Sequence, residues 1–196
     1  MRASRISSEN RTPAWRAVAP AALVLCAFAA GSPPCAAKVF LSQEEALRLV
    51  FPGAAPVRTT AYLTEQQAAR VKELSGEELP AKVITYYTGA AGAAGSTAWF
   101  DTHLVRTMPE TVMVVVSAAG VIERVDILSF DEPVEYLPRP GWTGQFAGHG
   151  LDAELSTRQA IHPISGATLS GRAIVSATRR ALALRQVLLT PPAAKP

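Results

Sequence analysis

The spacing of apolar positions changes twice along the body of the chain. Between residues 42 and 51, Ala46, Leu47, Leu49 and Val50 recur at helical intervals behind Ser42 and Glu45, whose separation is that of a capping box. A short helix is predicted there, ending at Pro52 and Gly53. Thr64 and Gln67 repeat the signature ahead of Ala68, Val71 and Leu74, and predict a second helix closing at Ser75 and Gly76. From Ala81 the period becomes that of strands. The runs KVITYYTG (82–89), TAWFDTHLV (97–105), ETVMVVVSA (110–118) and VIERVDILSF (121–130) are rich in β-branched and aromatic residues and are separated by turn residues. Ala118, Ala119 and Gly120 leave room only for a tight turn, so the last two runs should form an antiparallel hairpin. From Leu169 the helical period returns. Ile174, Ala177, Ala181, Leu184 and Leu188 share one face, and Arg172, Ser176, Arg179, Ala183 and Gln186 share the opposite one. Arg179, Arg180 and Arg185 fall toward the end of that helix, where they complement its dipole.

This pattern predicts an α+β fold in a single domain: an antiparallel sheet of four to five strands, packed helices and a long C-terminal helix. Residues 38–80 read as an N-terminal helical segment, 81–190 as the main domain and 191–196 as a disordered tail. Two stretches break the periodicity. The loop GAAGAAGS (89–96) has the glycine spacing of a phosphate loop, but lacks both a GK[ST] ending and a following helix, and so reads as a hairpin connection. Residues 131–160 form a long irregular segment containing Tyr136, Trp142 and Phe146. These aromatics suit a plug at the edge of the core or the wall of a ligand site.

Composition changes the picture at the N-terminus. The 196 residues are 48% hydrophobic and 18% charged, ordinary values for a globular domain, with a formal net charge of +3. Four of the 19 basic residues (Arg2, Arg5, Arg11, Arg16) and one of the 16 acidic residues (Glu9) precede residue 38, leaving 15 of each in the remainder. No basic patch remains to attract nucleic acid. The arginine-bearing start, the apolar run AVAPAALVLCAFAA (17–30) and the small residues Cys35, Ala36 and Ala37 have the order of a secretory signal peptide, with cleavage before Lys38. An uncleaved anchor is the alternative. Against it, the run is shorter than the roughly 20 residues that span a bilayer and is interrupted by Pro20. Leu25 and Pro34, which precede the two cysteines, are not the small residues of a lipoprotein site. Cleavage removes Cys26 and Cys35, which excludes disulfides, thiolate zinc sites, iron-sulfur clusters and covalent haem from the mature chain. The expected location is the periplasm or another exported compartment.

His103, His149 and His162 are far apart and have no partner at metal-ligand spacing, so no metal site is expected. Neither G-x-S-x-G nor S-x-x-K occurs after residue 37, which argues against a serine hydrolase. No acid-base pair is evident. The candidate chemistry lies in HPISGATLS (162–170). Gly166 permits a sharp turn and close approach of a ligand, while Ser165 and Thr168 put hydroxyls beside the free N–H groups of a starting helix. Two readings fit: these hydroxyls cap the helix, or they belong to a site for an anion such as phosphate.

Ser165-Gly166-Ala167-Thr168, followed by Leu169-Ser170, resembles the flavinylation motif of FMN-binding domains, found in flavin subunits of Rnf and Na⁺-translocating NADH:quinone reductase complexes and in small exported proteins. WTGQFAG (142–148) is similar to a segment that precedes the motif in the small relatives, and FDEP (130–133) also resembles a family segment. The resemblance spans roughly residues 85–185. It implies that Thr168 carries FMN through a phosphodiester, installed from FAD by a Mg²⁺-dependent flavin transferase, with Ser165, Gly166, Ala167 and Leu169 completing the attachment loop and Trp142 and Phe146 beside the flavin. The implied role is electron transfer rather than stand-alone catalysis, between an unidentified donor and acceptor and in a setting compatible with a membrane electron-transport complex. His162 stands where the family usually has Asp. The rivals are an exported binding or structural module whose SGAT caps a helix, and a flavin-dependent reductase.

Overall fold

Both capping boxes form as the sequence predicts. In the computed structural model, which describes residues 38–53, 55–92 and 95–190, helix α1 (Gln43–Val50) is capped by Ser42 and Glu45, and helix α2 (Glu65–Ser75) by Thr64 and Gln67. Gly76 closes α2 in the left-handed region, at φ 74°. The expected signal peptide and C-terminal tail lie outside the described residues, as do residues 93 and 94 of the glycine-spaced loop.

Six strands form one antiparallel sheet among the described residues: β1 (Lys38–Val39), β2 (Val57–Tyr62), β3 (Val83–Thr88), β4 (Thr97–Leu104), β5 (Pro109–Val116) and β6 (Ile122–Phe130), in the spatial order β1-β6-β5-β4-β3-β2. The last four match the expected runs, and β5 and β6 are joined by the expected tight turn, with Gly120 at φ 76°. Strands β1 and β2 are additions to the reading from sequence. β1 has only two residues, and β2 is an edge strand whose Arg58 and Thr60 face solvent, so neither carries an apolar alternation. The stretch 38–80 is therefore not purely helical. It contributes both edges of the sheet, with α1 running from β1 at one edge to β2 at the other.

The sheet is covered on both faces, which explains the unbroken apolar run of β5. Val112, Val114 and Val116 enter the larger core with Trp99, Phe146 and residues of α2 and helix α3 (Thr168–Leu189), while Met113 and Val115 pack under Leu47 and Phe51 at α1. Tyr86 and Trp99, opposite one another on β3 and β4, stack with centroids 4.8 Å apart.

Helix α3 departs from its expected polar face. Ala183 is fully buried, because α2 and residues 150–161 pack over that flank. Its arginines make specific bonds and do not serve the end of the helix, whose last turn has no basic residue. Arg179 donates to the carbonyl of Ser75 at 2.7 Å, satisfying the end of α2, and to that of Asp152 at 2.6 Å. Arg180 pairs with Asp101, and buried Arg185 donates to Thr97 Oγ1 at 2.9 Å. No helix among the described residues is long and apolar enough to cross a membrane.

Candidate functional site

The segment 162–170 enters α3 through Gly166, whose φ of 88° is disfavoured for residues with a side chain. Two side chains of the preceding irregular region hold its start. Trp142 Nε1 donates to the His162 carbonyl at 2.8 Å, and the His162 N–H donates to Gln145 Oε1 at 2.9 Å. The Trp and Gln of WTGQFAG therefore grip one backbone unit from both sides, and the His162 side chain remains exposed. Trp142 also rests on α3 at Gly171, where an added Cβ would lie 3.4 Å from the ring. Farther along, Ser170 Oγ donates to the Tyr136 carbonyl at 2.6 Å, tying the helix start to the 3-10 turn Val134–Tyr136.

The hydroxyls do not cap the helix. Ala167 occupies the N-cap position and no side chain bonds the first N–H groups, while Thr168 Oγ1 donates back to the Ile164 carbonyl at 3.3 Å. Thr168 is exposed beside these amides, an arrangement suited to an anion. A hollow of about 260 Å³ opens here, lined by Gly166, Ala167, Thr168, Leu169 and Ser170 together with Val105, Arg106 and Tyr136.

The structure thus gathers Gly166, Ala167, Thr168 and Leu169 around one hollow, with Ser165 exposed next to it. It does not bring Phe146 there. That ring is wholly buried in the core, in edge contact with Trp142 at 5.3 Å, and Trp142 in turn holds the start of the 162–170 segment. Sequence reading took Val105 as the end of a strand, passed over Arg106 because a residue in a hairpin turn carries no periodic signal, and left Tyr136 among the irregular aromatics. The Arg106 guanidinium lies 4.8 Å from the centre of the Tyr136 ring.

A charged cluster that sequence reading also missed lies below the same turn. His103 Nδ1 is 2.9 Å from Asp101 and Nε2 is 3.0 Å from Glu110, its partner across the β4–β5 ladder; Arg180 of α3 holds Asp101 through two nitrogens, each at 2.9 Å. Burial works against the charged imidazole, but the bonds to Asp101 and Glu110 and their charges outweigh it and push His103 up to about 9. Burial also acts to raise Asp101, yet His103 and Arg180 hold it below the usual range; for Glu110 burial prevails and its carboxyl is pushed up. Among the described residues no group of side chains is arranged to hold a metal ion.

Residues 108–183 match the family model of the FMN-binding domain. The match covers 76 of the 196 residues. It runs from Met108 in the hairpin turn, through β5, β6 and the gripping segment, and into α3, so it contains Thr168 and Tyr136 while Arg106 lies just outside. No curated protein and no solved structure matches the chain. The residues present fit the phosphate end of FMN: an exposed hydroxyl, uncapped helix amides and an arginine share one hollow.

Proposed function

We propose that this chain is an exported electron carrier that holds FMN through a phosphodiester on Thr168. The observation that carries the reading is the exposure of the Thr168 hydroxyl at an uncapped helix start within the stretch that matches the FMN-binding domain. Attachment by a Mg²⁺-dependent flavin transferase balances as follows. Thr168 Oγ bonds to the phosphorus next to riboflavin in FAD, the pyrophosphate bridge breaks, AMP leaves, and the hydroxyl proton passes to a base of the transferase. The helix amides stabilise the negative charge that the diester keeps. Once bound, the flavin accepts electrons from a donor and passes them to an acceptor. A covalent link suits an exported protein, because a dissociated cofactor would be lost by dilution.

Intact mass analysis of protein from its native host tests export and attachment together. The expected species is the chain beginning at Lys38 with the mass of FMN less one water. A species starting near Met1 would support the anchor, and unmodified protein would sink covalent attachment. With a co-expressed flavin transferase, Thr168→Val should fold and lose in-gel flavin fluorescence, while Ser165→Ala should keep at least part of it. His162→Asp should raise the labelled fraction in a short induction. Persistent label on Thr168→Val would show that the site lies elsewhere.

A further inference from the structure

Arg106, Thr107 and Met108 occupy the turn between β4 and β5, and their three successive N–H groups converge on one oxygen. Glu132 Oε1 accepts them at 3.2, 2.7 and 2.9 Å and also accepts the Thr107 hydroxyl at 3.3 Å. Glu132 is only 7% exposed, and the amides of Thr107, Met108 and Arg106 hold its carboxyl below the usual glutamate range. FDEP thus supplies the carboxylate that fixes this turn. Its acceptor oxygen serves the amides, and the Arg106 guanidinium makes no ion pair among the described residues. That guanidinium lies over Tyr136, whose carbonyl is tied to α3 by Ser170. Three separate elements therefore fix an arginine and a threonine hydroxyl on the walls of one hollow.

We propose that Arg106 is the counter-charge that binds the phosphate joined to Thr168, and that Glu132 positions Arg106 by holding its turn. The inference rests on the flavin reading above and adds the electrostatic half of the site. The helix start supplies only fractional positive charge, whereas a guanidinium supplies a full charge and paired donors matched to phosphate oxygens. Resting on Tyr136 keeps its planar group in one orientation with little loss of freedom on binding. Arg106 is exposed, so replacing it leaves the fold intact.

The test uses the full mature chain, purified flavin transferase, Mg²⁺ and FAD, with initial labelling rates read by in-gel fluorescence and the phosphorus-31 shift of the attached diester read by NMR. Arg106→Gln should slow labelling by about tenfold or more, the scale of a lost hydrogen bond to a charged group, and should move the phosphorus resonance. Arg106→Lys should recover part of the rate. Glu132→Gln should slow labelling less, and adding it to Arg106→Gln should produce little further loss, because a positioning residue has nothing left to position. A merely structural turn would lower the melting temperature without moving the phosphorus signal. Wild-type rate and an unmoved resonance for Arg106→Gln would overturn the proposal while leaving Thr168 as the site. Failure of the wild-type chain to label would overturn the flavin reading and this proposal with it.

Discussion

His103 shows how much one side chain can depend on its neighbours. Its ring bridges Asp101 and Glu110, and the groups facing it across the packed elements are Arg180 of α3 and, beyond Arg180, Glu77. A histidine raised to about 9 in the folded state contributes stability that is complete below its ordinary value near 6.5 and is lost as pH rises through 9. Asp101, held low, keeps its contribution until pH falls below the ordinary carboxylate range. Denaturation midpoints measured from pH 6 to 10 should therefore decline between about pH 6.5 and 9 and level off above that, and His103→Gln should flatten the decline. Because Glu110 is fully buried, His103→Ala should cost about 3 kcal/mol or more by leaving a carboxylate without its partner. A wild-type profile that is level to pH 10 would mean that the imidazole is neutral in the fold.

Elements are set by local chemistry wherever their ends carry it. The Thr64 hydroxyl accepts from the Gln67 N–H at 3.2 Å while the Gln67 side chain accepts from the Thr64 N–H at 3.0 Å. Thr64→Ala should destabilise the protein by about 1 kcal/mol, read as a shift in the urea midpoint with unchanged slope. An unchanged midpoint would show that α2 is held by its contacts with α3 and not by its cap. Helix α3 behaves differently. It lacks a side-chain cap at its start, and its length and position follow from burial on nearly every side. An uncapped start is a weakness for a helix alone, and here it leaves amides free next to the hydroxyl of Thr168.

At the scale of the molecule, the FMN-binding match and the folding unit are not the same length of chain. Residues 108–183 contain β5 and β6 but not β4, which pairs with β5 along its whole length, nor α1 and α2, which cover the two faces. The sheet edge and apolar faces thus exposed are those that drive aggregation. A fragment of residues 108–183 should fail to give a cooperative thermal transition by circular dichroism and should elute as aggregate, while residues 38–190 should melt in one step. Cooperative melting of the short fragment would show that β1–β4 are an addition to an independent domain.

What the sequence determined by itself was short in range: both capping boxes, four strands, the tight turn before β6 and the SGAT segment at the start of the last helix. Each depends on residues within a few positions of one another, so spacing and residue type suffice. Tertiary structure decided the rest. It placed β2 as an edge strand, four of whose six residues are exposed and none buried, so that no apolar period marks it, and it turned the arginines of α3 from dipole partners into ties to Ser75, Asp101 and Thr97. It also brought Arg106, Tyr136 and Thr168 to one hollow and Asp101, His103, Glu110 and Arg180 to one cluster. The physical reason is that these contacts are fixed by strand register and by the way α3 lies on the sheet, which join residues that no local spacing relates.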